Sequence, residues 1–206
     1  VQTCALPICE DFAAGEAGGL QALRFLANHP ATHRFLATKL VRHFVADDPA
    51  PADLRRIEGV LRDTHGDLGA ASAALVDLPT AWQPWTKLRT PLDYAVAAIR
   101  ALDPSPDNRP RLQGVLAVLG QPWLTAPAPN GWPDKAADWA GPEASMRRVD
   151  WANGFAARIG NRDPFGIADA ALGPLLRSAT LDAMRQAGSR RDAFTLLLTS
   201  PEFQRR

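Results

Sequence analysis

The amino-acid sequence predicts an all-α protein, an irregular multi-helix array crossed by one long Pro/Trp-rich loop. Three observations carry this reading. From Glu10 onward apolar residues recur at spacings of three and four, the period of a helix with one buried face. The breaks between these runs are filled by Pro, Gly and Asp, many of them where helices start or stop. No stretch shows the strict alternation of a half-buried strand, and about nine or ten helices are expected from the pattern.

The first helix, "EAGGLQALRFLANHP", sets Leu20, Leu23 and Leu26 with Phe25 on its apolar face and closes at Asn28 and Pro30. "PATHRFLATKLVRHFVADDP" follows with a broad face of Phe35, Leu36, Leu40, Phe44 and Val45, and stops at Asp47, Asp48 and Pro49. "PADLRRIEGVLRDTHGD" turns Leu54, Ile57, Val60 and Leu61 inward; Gly66 is expected as its C-terminal cap and Asp67 as the N-cap of "LGAASAALVDL", which makes a helical hairpin. Thr90, Pro91 and Asp93 supply an N-cap, a first-turn proline and an acid at the third position for "LDYAVAAIRAL". Another helix is expected across "RPRLQGVLAVLG".

From Gly120 to Pro142 the helical period lapses. "GQPWLTAPAPNGWPDKAADWAGP" holds five prolines and three tryptophans, and the tryptophans favour an ordered loop. Helix resumes at "EASMRRVDWANGFAARI", breaks over "GNRDPFG", and continues in "IADAAL" and "GPLLRSATLDAMRQA". Ser189 with Asp192 forms a capping box before "AFTLLLT", and Ser200 with Pro201 starts a last short turn.

A chain of 206 residues can bury a substantial core without disulfides. Its 46% hydrophobic and 22% charged content is that of an ordinary globular protein rather than a disordered one. No apolar run approaches the roughly 18 to 20 residues that span a bilayer, so no transmembrane segment is expected. A net charge of +1 supplies no field to draw in nucleic acid or an anionic membrane. Among the basic residues, twenty are Arg and three are Lys, a bias that points to a high-GC genome and sets the lysines apart.

The opening "VQTCALPICE" holds both cysteines, Cys4 and Cys9, in a stretch without helical or strand period. The nucleotide string GTTCAGACGTGTGCTCTTCCGATCT, part of a common short-read sequencing adapter, translates in frame as Val1 to Ile8 and leaves one T over. Residues 1–9 are therefore expected to derive from an adapter, so thiols say nothing of the redox compartment. On this reading the true N-terminus is missing, and with it any export signal. Residues 10–206 are expected to form a single helical domain, the C-terminal portion of a longer protein, with the loop at 120–142.

Three stretches carry a family likeness: "HPATHRFLATKLVRHFV", "KLRTPLDYAVAAIRAL" and "LGQPWLTAPAPNGWPDKAADW", finished by "LLLTSPEFQRR". In order and spacing they resemble the bacterial family called domain of unknown function 1800. The likeness runs from about Leu20 to Arg206, which implies the natural C-terminus and the absence of the family's N-terminal half. The motif positions are His29, Pro30, Thr32 and Lys39; Lys87, Arg89, Thr90 and Pro91; Gly120, Gln121, Pro122, Gly131, Trp132 and Trp139; Ser200, Pro201, Glu202 and Phe203. Asp93 departs from the pattern, where Glu is expected. The resemblance implies a mainly helical, often exported protein, periplasmic or beyond, encoded beside a sulfatase-like companion of the domain of unknown function 1501 family. It brings no reaction and no residue with a catalytic role.

The candidate functional or structural residues are His29, Lys39, Lys87, Arg89, Gln121, Trp132, Asp134 and Trp139. His29 and His33 have metal-ligand spacing, but no third ligand stands near, so no metal is expected; His29 caps a helix, and His33 and His43 are surface or boundary side chains. Lys39 and Lys87 sit where a compact ammonium fits and a guanidinium fork does not. Each is either a base or carboxylate partner, or a packed stem with a snorkelling head. Trp123, Trp132 and Trp139 beside Asp134, Asp138 and Glu143 form either a sugar platform with two carboxylates or a rigid strap whose indole N–H groups bond to loop carbonyls. No phosphate loop, GxGxxG, GxSxG or CxxC is present, so no cofactor is expected. "SRRD" and "MRR" read as basic pairs on solvated helix faces.

Two functions remain. One is an accessory or interaction protein of the bacterial cell envelope. The other is an envelope hydrolase acting on a polysaccharide, with its site near the tryptophan loop. Convergent carboxylates with Lys39 or Lys87 in a cleft would favour the enzyme, and a broad apolar patch the interaction protein.

Overall fold

The computed structural model describes residues 10–83 and 87–206. The adapter reading of residues 1–9, with Cys4 and Cys9, lies outside the described residues. All regular structure among the described residues is helical, ten α-helices with short 3₁₀ turns between them. The one isolated bridge there is antiparallel, Leu88 to Arg205. The fold is all-α. The chain falls into two compact units that divide between Trp82 and Gln83.

The first unit holds α1 (Glu16–Asn28), α2 (Pro30–Phe44), α3 (Pro51–Asp63) and α4 (Leu68–Val76). Its core is Ala37, Val41 and Val45 from α2 and its end, Ile57 and Leu61 from α3, and Ala71, Leu75 and Leu78 from α4 and just after it. Two faces differ from expectation. On α2 the buried stripe is His33, Ala37 and Val41, one residue per turn, while Phe35 and Phe44 are exposed. The small Ala37 at the middle of that stripe lets α3 come close, and a phenylalanine there would hold it off. On α1 the leucines Leu20, Leu23 and Leu26 all face solvent, Leu23 with 64% of its surface exposed. The buried residue of α1 is Gly18, over which the chain folds back so tightly that a Cβ would meet the Ala13 carbonyl oxygen at 1.7 Å.

The second unit holds α5 (Pro91–Leu102), α6 (Leu112–Val118), α7 (Pro142–Ala156), α8 (Pro164–Leu172), α9 (Ser178–Arg185) and α10 (Arg190–Thr199). Tyr94, Ala95, Ala98 and Leu102 of α5 meet Ala152, Phe155 and Ala156 of α7 and Phe194, Leu197 and Leu198 of α10 in one core, closed by Phe203. Alanines at four of these contact positions allow close helix approach; the aromatics fill the space between.

Local chemistry sets the helix starts. Prolines stand in the first turn of α2, α3, α5, α7 and α8, where the missing N–H costs nothing. Asp67, Thr90, Asp163 and Ser189 accept backbone N–H groups with their side chains at the starts of α4, α5, α8 and α10. Each such cap is worth about 1 kcal/mol. Gly66, at φ +87°, takes the left-handed conformation that ends α3.

Candidate functional site

The family-like residues fall in both units. In the first, they lock the corner between α1 and α2. His29 accepts the Ala31 N–H on its Nδ1 at 3.1 Å, and the Thr32 hydroxyl donates to the Leu26 carbonyl at 2.7 Å, satisfying the end of one helix and the start of the next. His29 thus caps a helix, as its place before Pro30 leads one to expect. His33 corrects the sequence reading: it is 3% exposed, not at the surface, and both ring nitrogens lack a hydrogen-bond partner. Lys39 is half-buried with its Nζ 5.7 Å from the centre of the Phe35 ring, one turn back on the same helix.

In the second unit the remaining candidates converge on one framework. Residues Lys87–Arg89 run antiparallel to the last residues of the chain: Lys87 and Arg206 exchange backbone hydrogen bonds at 3.1 and 2.9 Å, and the Arg89 N–H reaches the Gln204 carbonyl at 2.8 Å. Lys87, only 1% exposed, donates from Nζ to the Asp134 carbonyl at 2.6 Å. The compact ammonium suits this contact, reaching the carbonyl at the end of a packed stem. Arg89 lays its guanidinium over the Phe203 ring at 5.0 Å and donates to the Phe203 carbonyl at 2.8 Å.

Arg148 supplies the centre of this framework, and sequence reasoning missed it. "MRR" reads as a solvated basic pair, and for Arg147 this holds: it is exposed and pairs with Glu143 at 2.6 Å. Arg148 is buried. Its fork donates to the Gln204 side-chain oxygen at 2.5 Å and to the Arg89 carbonyl at 2.8 Å, and its guanidinium stacks over Tyr94 at 5.1 Å. Burial lowers the pKa of both Arg89 and Arg148 and raises that of the Tyr94 hydroxyl. The nearby Asp93 opposes the shift at Arg89, and Arg148 and Tyr94 oppose each other's. A signal for Arg148 existed in the helical period, since Arg148, Ala152 and Phe155 recur on the buried face of α7.

The Pro/Trp-rich loop is fastened at several points. The Gln121 side-chain oxygen accepts the Leu92 N–H at 2.9 Å, taking up a free donor in the first turn of α5. Lys87 holds the Asp134 carbonyl, and Trp139, 7% exposed, donates its indole N–H to the Pro133 carbonyl at 2.9 Å. Trp132 leans on Trp139, ring centres 6.0 Å apart. Trp123 and Leu124 stand outward, Leu124 at φ +58°. With Leu92, Gln121 and Trp132 they line an open cavity of about 420 Å³. Among the described residues no carboxylate lines that cavity, and no group of three or more His, Cys, Asp or Glu is placed to hold a metal. No described helix is long and apolar enough to cross a membrane.

A comparison with curated proteins and with solved structures returns no match. The family model described as "Protein of unknown function", domain of unknown function 1800, matches residues 8–205. That span takes in the helix corner at His29, the paired segment at Lys87, the fastened loop and the closing turn at Phe203; the chain belongs to the domain of unknown function 1800 family.

Proposed function

We propose that this chain is an accessory, partner-binding protein of the bacterial cell envelope. One observation carries the reading: Leu20, Leu23 and Leu26 line one side of α1 and all three face solvent. Spaced three apart, they form a continuous apolar stripe, and contiguous exposed apolar surface marks a protein contact. The polar family residues support it by contrast. The side chains of Lys87, Arg89, Gln121 and Arg148 are bonded to backbone groups of their own chain, as structural side chains are.

The partner is the sulfatase-like companion of the domain of unknown function 1501 family, and the meeting place is the periplasm or cell exterior. Co-expression of the chain with that companion, followed by affinity capture, tests this. A stable complex that the Leu20→Asp/Leu23→Asp double variant loses, with helical content unchanged by circular dichroism, is the expected result. No complex with the unaltered chain refutes it.

A second reading has one observation in its favour, the open cavity bounded by Trp123 and Trp132, whose aromatic faces suit a sugar ring. On this reading the chain is an envelope hydrolase acting on a polysaccharide. It lacks support from the acids: Asp138 and Glu143 are exposed, and neither they nor Asp134 line the cavity. Binding and turnover on an array of polysaccharides decide it, and an enzyme requires product release that Trp132→Ala abolishes.

A further inference from the structure

A second cleft, which meets the tryptophan cavity at Leu92, is lined by residues of α5 and α8 together with Arg89, Phe203 and Arg206. Its volume is about 700 Å³, within the range of small-molecule sites. We infer that this cleft binds an oxyanion, carboxylate or phosphate, carried on a compact apolar body.

Charge is the first ground. Among the described residues lining the cleft, three guanidinium groups, Arg89, Arg100 and Arg206, stand against a single side-chain carboxylate, Asp93. The whole chain carries a net charge of only +1, so this local excess does not follow from a generally basic surface. Asp93 is already engaged, its Oδ2 lying 3.1 Å from an Arg206 nitrogen. Arg89 has a carbonyl and an aromatic ring as neighbours, Phe203 supplying both. Asp93 also lies near Arg89 and opposes the lowering of its pKa by burial, but one side-chain carboxylate among three cations leaves the cleft a positive excess that an anionic ligand offsets.

Geometry is the second ground. Arginine forks match the two oxygens of a carboxylate or phosphate, so the three guanidinium groups suit such oxygens. Arg100 projects from the last turn of α5, where the helix C-terminus does not oppose a cation, and leaves its guanidinium exposed at the rim. The rest of the lining is apolar: Leu92, Val96, alanines of both helices, and the Phe203 ring. A bare ion would leave those walls wet, so the ligand carries an apolar portion of its own.

The test is titration of the full chain with octanoate, octyl phosphate, inorganic phosphate and uncharged octyl glucoside, each below its micelle concentration. Binding is followed by calorimetry and by the arginine Nε–Hε resonances. Octanoate or octyl phosphate binds and moves the Arg89 and Arg100 resonances, and whichever binds more tightly identifies the head group. Arg100→Gln weakens that binding by about tenfold or more, the loss of one charge-assisted contact, and Arg100→Lys by less. Arg100 is exposed, so both variants keep the fold. The inference fails if neither anion binds, if octyl glucoside binds as tightly, or if Arg100→Gln binds unchanged. Inorganic phosphate binding as tightly as octyl phosphate overturns the apolar part of it.

Discussion

Replacing Trp139 by alanine measures how firmly the Pro/Trp-rich loop is clamped to the helices. At 7% exposure, nearly the whole side chain is buried. A tryptophan buries about 150 to 250 Å². At about 25 cal/mol per Å² that is worth roughly 3.5 to 6 kcal/mol, an upper bound because the unfolded chain already hides part of the area. The indole N–H bond to the Pro133 carbonyl adds about 1 kcal/mol. Partial collapse of the space left behind trims the total, so Trp139→Ala is expected to cost about 4 kcal/mol, within the usual range for truncating a buried aromatic. Trp139→Phe keeps most of the apolar area and loses the hydrogen bond, for a cost of about 1 to 2 kcal/mol. Urea unfolding followed by far-ultraviolet circular dichroism gives both values, and limited proteolysis reports loosening within 120–142. A Trp139→Ala cost below about 1 kcal/mol, or equal costs for the two variants, refutes the clamp.

Three further outcomes follow from the same framework. Lys87→Arg forces a larger, forked head into a site with 1% exposure and destabilises by about 1 to 3 kcal/mol in the same urea assay, although charge is conserved. Gln121→Leu removes the acceptor for the Leu92 N–H and costs about 1 kcal/mol, comparable to losing an N-cap, with amide exchange at Leu92 as the local readout. Burial raises the Tyr94 hydroxyl above its ordinary pKa of 10.0, so the folded chain holds a proton that the unfolded chain releases. Its contribution is complete below that unfolded value and is lost as pH rises from there through the folded value; the fall in urea midpoint above pH 10 is smaller in Tyr94→Phe.

Most helices, and the starts of α2, α4, α5 and α10, were legible because their causes are local. Proline at a first turn, Ser, Thr or Asp at a cap, and glycine past an end act within four residues, and the chain states them directly. The strap-like character of the loop was legible in part, since buried indoles need acceptors and the prolines leave carbonyls without competing N–H groups. Arg148 was not legible as a buried residue. Its composition signal, a basic pair, is identical to that of Arg147 beside it, and only the packing of α7 against α5 and the closing segment separates the two.

Sequence alone thus determined that this protein is helical, where several of its helices begin, which stretches carry the family's likeness, and that one loop is unlike the rest. The start of α8 at Pro164, inside the expected break, and of α9 at Ser178 were not read from it. Tertiary structure decided which of several apolar stripes on a helix is buried, sending Ala37 inward and Leu23 outward. It also decided that Arg89, Arg148 and Gln204, drawn from three distant parts of the chain, meet in one network. The reason is physical. Helix formation depends on neighbours a turn away, whereas burial depends on which other surface arrives, and a period of three or four residues fixes a set of possible faces without choosing among them.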